Sequence, residues 1–249
     1  SAVDGVVSDW HLVHYGSRAT GGVGLIITEM TAISETGRIT EGCAGIYNAE
    51  QLNQWKKITE FIHNNTSTKI GIQLGHSGRK GATKKPWEGN GPIEKPWDLI
   101  SASPIAFNEN FATPKEMTLE DMEEIKAQFV QATKNADEAG FDMIELQAHH
   151  GFLLASFLSP LTNIRTDEYG GSIENRLKYP LAIFKAIRDV FPSEKPISVR
   201  ISATDWAENG ISEQEVLTIA TAFKSAGADI INVSTGNTVA GQKPLTGRM

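Results

Sequence analysis

Three times in this chain a helical segment ends on glycine and gives way to a short, β-rich apolar run. The runs are Gly22-Val23-Gly24-Leu25-Ile26-Ile27-Thr28-Glu29, Gly140-Phe141-Asp142-Met143-Ile144-Glu145-Leu146 and Gly227-Ala228-Asp229-Ile230-Ile231-Asn232-Val233. Glycine closes a helix by taking the left-handed conformation, and the run after it enters a buried strand. Two more strands are expected at Lys69 to Leu74 and Ile197 to Ser202. Helices are expected at 9–20, 50–63, 118–139, 173–191 and 212–226. Thr118-Leu119-Glu120-Asp121 and Ser212-Glu213-Gln214-Glu215 have the form of N-terminal capping boxes. Strands that alternate with helices pair in parallel, because each helix returns the chain to the same end of the sheet. The segment 75–117, rich in Gly, Pro and Lys, is too long for an ordinary connection and is read as an active-site excursion.

Strand parity narrows the architecture further. Successive side chains point to opposite faces. One parity carries Gly71 and Gln73, Glu145 and Gln147, Ser198, Arg200 and Ser202, Asn232 and Ser234. The other carries Ile70, Ile72 and Leu74, Ile144 and Leu146, Ile197, Val199 and Ile201, Ile231 and Val233. The second face packs beneath helices; the first is polar, and its largest groups come at the strands' C-terminal ends. A doubly wound sheet would show two apolar faces. A barrel holding a polar ligand at its C-terminal mouth shows one. The expected fold is α/β, a (β/α)8 TIM barrel present only in part. Five strands are visible, which places the first strand before Ser1 and the last two after Met249. Residues 1–249 are read as one partial barrel domain, an excerpt of something longer.

Composition bounds the partners. Net charge is −7, from 23 Lys and Arg against 30 Asp and Glu, and no segment concentrates the cations. Nucleic acid and anionic membrane are therefore not expected as partners. Cys43 is the only cysteine, which rules out an intramolecular disulfide and a thiolate cluster and makes a reducing cytoplasm the simplest setting. No apolar run approaches ~18 residues.

The stretch from Asp142 to Phe152 carries most of the chemistry. An apolar strand runs into Gln147, His149 and His150 at its carboxyl end, where ligands of α/β folds bind. Neighbouring histidines do not both point into one site, so one of the two is structural. Arg200 stands inside an apolar strand and needs an anionic or carbonyl-rich partner. That partner is either an internal carboxylate, Glu145 or Glu29, or the electron-rich edge of a ligand. Gln73 offers a donor and an acceptor together, which suits an amide-like ligand edge or a loop cap equally. Met30 is either core or a surface for a flat ligand. His76, in Gly75-His76-Ser77-Gly78-Arg79-Lys80, is balanced between loop scaffold and site rim. No spaced His, Cys or carboxylate set is present, so no catalytic metal is expected. Gly21-Gly22-Val23-Gly24 precedes a strand where a dinucleotide fingerprint would follow one.

The run Ser159-Pro160-Leu161-Thr162-Asn163-Ile164-Arg165-Thr166-Asp167-Glu168-Tyr169-Gly170-Gly171-Ser172-Ile173-Glu174-Asn175-Arg176 closely resembles the signature after the fourth strand of the Old Yellow Enzyme family of FMN-dependent barrel ene-reductases. Gly71 to Lys80, Ser198 to Ser202 and Gly37-Arg38-Ile39 resemble it too. Asp205-Trp206 and the segment from Lys243 to Met249 are most similar to the reductase part of salicylyl-CoA and anthraniloyl-CoA hydroxylase fusions.

The resemblance implies FMN as cofactor and NAD(P)H as hydride donor. It implies that Met30 contacts the flavin through its backbone, that Gln73 bonds the isoalloxazine edge, and that Arg200 lies beside the flavin N1/C2 oxygen. His150 matches the second member of the pair that holds a substrate carbonyl, and Gln147 stands where the first, a histidine, is usual. Phe152 stands where the family has its proton-donating tyrosine. The implied function is hydride transfer from NAD(P)H through flavin to an alkene conjugated to a carbonyl. The substrate would be an α,β-unsaturated carbonyl or an acyl-CoA thioester, and a homo-oligomer is compatible with it. Two alternatives stand beside it: the reductase module of an aromatic acyl-CoA monooxygenase fusion, and a flavin barrel without ene-reduction, acting as an NAD(P)H oxidase or scaffold.

Overall fold

The computed structural model describes residues 1–89 and 91–244. Its main sheet holds six parallel strands: β1 (Leu25–Ala32), β2 (Ala44–Gly45), β3 (Lys69–Gly75), β6 (Met143–Ala148), β7 (Ile197–Ser202) and β8 (Ile230–Ser234), in the order β2-β1-β3-β6-β7-β8. The strands β4 (Ile100–Ser101) and β5 (Lys115–Glu116) form a separate parallel pair inside the 75–117 excursion. Helices α1 (Asp9–Thr20), α2 (Ala49–Asn65), α3 (Leu119–Glu138), α4 (Leu153–Leu158), α5 (Ile173–Val190) and α6 (Glu213–Ser225) fill the connections. All five expected long strands and all five expected helices are present. The two capping boxes close as read, with Asp121 accepting from the Thr118 amide at 2.7 Å and Glu215 from the Ser212 amide at 2.9 Å.

The two strand parities separate in three dimensions as expected. Ile70, Ile72, Leu74, Ile144, Leu146, Ile197, Val199 and Ile201 are buried in one core with Trp55, Ile58 and Ile62 of α2, Phe129 and Ala132 of α3, and Ile183, Phe184 and Ile187 of α5. Each such side chain contributes about 1.5–3 kcal/mol on leaving water. β8 is a sheet edge among the described residues, with Ile230 43% and Val233 62% exposed. The architecture is an arc of a (β/α)8 barrel.

Two features of the main sheet escaped the sequence. Strand β2 is only two residues long and is held from outside: Trp55 donates its indole N–H to the Gly45 carbonyl at 3.1 Å, and the Asn135 amide donates to the Ile46 carbonyl at 2.8 Å. Strand β1 also carries a bulge, since Ile27 pairs with Gly71 but Met30, three residues on, pairs with Gln73. The Thr28 hydroxyl fills the gap in the ladder, accepting from the Gln73 amide at 3.2 Å and donating to the Glu29 carbonyl at 2.9 Å. A bulge inserts one residue and re-aims the side chains beyond it. Without it Glu29 would stand level with Gln73; with it Met30 does.

Candidate active site

The polar parity is organised in tiers, as expected of side chains facing a barrel's interior. Met30, Gln73, Glu145 and Ser198 share one register level across β1, β3, β6 and β7. Gln147, Arg200 and Asn232 share the next level. Above them Ser202 pairs with Ser234 at the strand ends, where His150 sits.

The tiers are knitted together through Glu145, which is 1% exposed. Its carboxylate accepts from the Gln73 amide at 2.7 Å, the Ser198 hydroxyl at 3.1 Å and the Asn232 amide at 2.8 Å. Three neutral donors occupy it, and Arg200 forms no salt bridge with it among the described residues. Glu29, the other candidate partner, is turned outward by the bulge to the helix layer, where the Tyr15 hydroxyl donates to it at 3.3 Å and His11 lies 3.6 Å away. The internal ion pair considered for Arg200 is therefore absent. Its Nε is buried without a partner, as is Oε1 of Gln147. Gln147 donates through Nε2 to the side-chain Oε1 of Gln73 at 3.4 Å and lies across Gly75, where any Cβ would collide with its amide. The open valences of Arg200 and Gln147, beside the donor and acceptor of Gln73, fit a flat heterocycle with an amide-like edge.

At the end of β6 the backbone turns through two left-handed residues, His150 (φ +55) and Gly151 (φ +70). A side chain at Gly151 would meet the Thr238 backbone at 2.8 Å, so the turn requires glycine on both steric and conformational grounds. The turn gives the two histidines different partners, although their rings pack together. His150 accepts at its backbone carbonyl from Lys80, donates its backbone amide to the Ser202 hydroxyl at 2.9 Å, and places Nε2 2.5 Å from the Ser234 hydroxyl. His149 is buried against it, ring centroids 4.2 Å apart, and packs edge-on to Phe152. Burial, and then the charges of Arg200 and Lys80, hold the His150 imidazole down at about 4. His76 is scaffold: Nδ1 accepts from the Gly78 amide at 3.0 Å, and burial lowers its pKa to about 3.

Sequence reasoning passed over Lys80. The excursion folds back over the strand ends, tied by Arg79 to the carbonyls of Ile105 and Ala106 at 3.1 and 3.2 Å. This brings Lys80 to the wall of a cleft of about 760 Å³ that is also lined by Lys84, Phe107, Phe111 and Phe152. A lysine ending a three-residue 3-10 turn (Gly78–Lys80) has no periodicity to announce it, and only its adjacency to Gly75-His76-Ser77-Gly78 marked it. The signature run after β6 lies outside the site. Arg165 binds the carbonyls of Ala102 and Met117 at 3.1 and 2.8 Å, and Arg176 binds the Leu158 carbonyl and Glu215. Of the segment from Lys243 to Met249, residues 245–249 lie outside the described residues.

The model of the NADH:flavin oxidoreductase / NADH oxidase family matches residues 1–246. A NADPH dehydrogenase of Listeria welshimeri is 42% identical over 236 residues, covering 95% of this chain and 65% of the relative. One of Bacillus subtilis is 42% identical over 233 residues, covering 94% of this chain and 64% of the relative. The chain thus spans a little under two thirds of these relatives' length. Among solved structures, a 2-naphthoyl-CoA reductase in complex with 2-naphthoyl-CoA superposes with a TM-score of 0.84 at 26% identity, covering 95% of this chain and 37% of that one. Morphinone reductase gives 0.79 at 28% identity, covering 92% and 63%. The Old Yellow Enzyme of a Pichia species gives 0.72 at 32% identity, covering 83% and 53%.

Proposed function

This chain belongs to the NADH:flavin oxidoreductase / NADH oxidase family, that of Old Yellow Enzyme, and on that premise we propose that it is the core of an FMN-dependent reductase of alkenes conjugated to a carbonyl. Bound FMN would supply the hydride relay between NAD(P)H and the alkene. The chain's own residues divide the remaining work. Gln73 presents donor and acceptor to the amide-like edge of the ring system. Arg200 stands ready for negative charge in a half-buried position where a cation is worth far more than in water. Met30 supplies backbone beside Gln73. The amide of Gln147 and the imidazole of His150 hold the substrate's carbonyl oxygen, and donors there stabilise an enolate as an oxyanion hole does. The observation that carries this reading is Arg200: a guanidinium on the polar face, level with Gln147, that pairs with no carboxylate among the described residues.

The cleft over Phe152 favours one substrate class within that reading. Three phenylalanines and two lysines line it, which suits an aromatic or enoyl thioester whose carrier is anionic. The similarity to a reductase solved with 2-naphthoyl-CoA points the same way. A homo-oligomer and a cytoplasmic setting are proposed on the same footing; no helix among the described residues is long and apolar enough to cross a membrane.

The test uses the full-length protein. It should be yellow with FMN, be bleached by NADPH under anaerobic conditions, and regain its colour on mixing with cyclohex-2-enone. Recovery with oxygen alone would leave an NADPH oxidase in place of an ene-reductase, and a colourless protein would sink both.

A further inference from the structure

Phe152 occupies the end of the cleft and carries no proton that a substrate could take. The alkene chemistry proposed above needs one, because hydride addition at the β-carbon leaves an enolate whose α-carbon must gain a proton. Resting on that reading, we propose that Lys80 is the catalytic acid, delivering a proton to the substrate α-carbon from the position its ammonium holds against the face of Phe152.

Three geometric facts carry this. The Lys80 ammonium lies 4.9 Å from the ring centre of Phe152 and 4.6 Å from that of Phe107, so it reaches the cleft at the point where the tyrosine signature has lost its hydroxyl. It is fixed there by donating to the His150 and Asn237 carbonyls, both at 2.8 Å. An ammonium has three N–H donors, so one remains for the substrate. The anchor also sets the target. Lys80 is bonded to the backbone of the residue whose imidazole holds the substrate's carbonyl oxygen, and the α-carbon is attached directly to that carbonyl carbon. Among the described residues lining the cleft, Lys84 is the other titratable group, and it is solvent-exposed.

Electrostatics tune the group for the task. Burial, and then the Arg79 cation, lower the Lys80 pKa to about 8. Lys80 also acts electrostatically on His149 and His150 near the strand ends, and Arg79 in turn feels the Asp205 carboxylate. Arg79 is the charge that acts on the Lys80 ammonium, and it acts to lower its pKa. An acid near ambient pH transfers its proton far more readily than an ordinary lysine. The step balances: the Lys80 N–H bond breaks and leaves its electron pair on the amine, the enolate's electron pair forms the new α-C–H bond, and the amine regains a proton from water.

The experiment compares reoxidation of NADPH-reduced, FMN-loaded full-length protein by cyclohex-2-enone and by oxygen. In Lys80→Met the ratio of the two rates should fall by about 10²-fold, the scale of general acid catalysis. Lys80→Arg, which keeps the donors to both carbonyls but holds its proton too tightly, should show the same loss, so misfolding of the methionine variant would not hide the result. Adding Phe152→Tyr to Lys80→Met should restore much of the alkene rate. The native alkene rate should decline as pH rises past about 8, whereas the arginine variant should lack that limb. NMR of 15N-lysine-labelled holoprotein, assigned by the resonance missing from Lys80→Met, should show the ammonium titrating near 8. A rate ratio within twofold of native in both variants, or titration at the ordinary lysine value, overturns the proposal and leaves the functional reading standing. A native protein that oxygen reoxidises but the enone does not overturns that reading and the proposal with it.

Discussion

Arg200 is the residue on which the competing accounts of the site diverge. A guanidinium tied to a buried carboxylate would be part of the folding core, and truncating it would strand a charge at a cost of about 3–5 kcal/mol. Here Glu145 is already satisfied by Gln73, Ser198 and Asn232, and Glu29 faces α1. Arg200→Met should therefore leave the urea stability of the flavin-free protein within about 1 kcal/mol of native, while FMN affinity, followed by flavin fluorescence, falls at least about tenfold. A stability loss of several kcal/mol would show that the guanidinium has a structural partner after all. Gln73, Gln147 and Arg200 were legible in the sequence because a period of two is unambiguous in a short apolar strand. Met30 was not legible that way. The bulge at Thr28 moves it by one residue relative to Gln73, and the same shift removes Glu29 from the face on which strict alternation would put it.

Between elements, the resemblance-bearing run from Ser159 to Arg176 performs structural work that its motif does not announce. The guanidinium of Arg165, 8% exposed, holds two carbonyls of the excursion, Ala102 after β4 and Met117 after β5, and its other edge is clamped by Asp167 at 3.0 and 3.2 Å. The small β4–β5 pair rests on that contact and on few backbone bonds of its own, such as Met117 to Ser101 at 3.0 Å. Arg165→Gln should therefore release the excursion selectively. Amide exchange at Lys115 and Met117 should accelerate by about tenfold or more, with β6 and β7 amides keeping their protection. Uniform acceleration would mean that Arg165 supports the whole barrel arc instead. The long helices and strands were readable because their apolar periods and caps are local. The two-residue strands β2, β4 and β5 were not, since their pairing depends on side chains outside their own segments, Trp55, Asn135 and Arg165.

At the scale of the molecule, the face that collects polar groups at the strand ends also buries histidines there, and this makes stability sensitive to acid. Burial holds His76 neutral, with its pKa lowered to about 3. His149 is lowered to about 2 by burial and then by the charges of His150, Arg200 and Lys80. The unfolded chain takes up these protons near the ordinary histidine value of about 6.5, and the folded chain does not. The stabilisation is therefore complete above that value and declines as pH falls below it. Between about pH 7 and about pH 5 each histidine should remove about 2 kcal/mol, or about 4 kcal/mol together. Carboxylates with lowered values, such as Asp142, add their loss only at more acidic pH. Urea unfolding of the full-length protein at the two pH values measures the difference directly. His11 and His150, held down at about 4, lose stability over the same interval, so His76→Asn, which offers an acceptor to the Gly78 amide in place of Nδ1 without titrating, should recover only its own share of the acid-induced loss, about 2 kcal/mol. Equal urea midpoints at the two pH values would show that these imidazoles are solvated in the native state, and that the strand ends are more open to water than their burial implies.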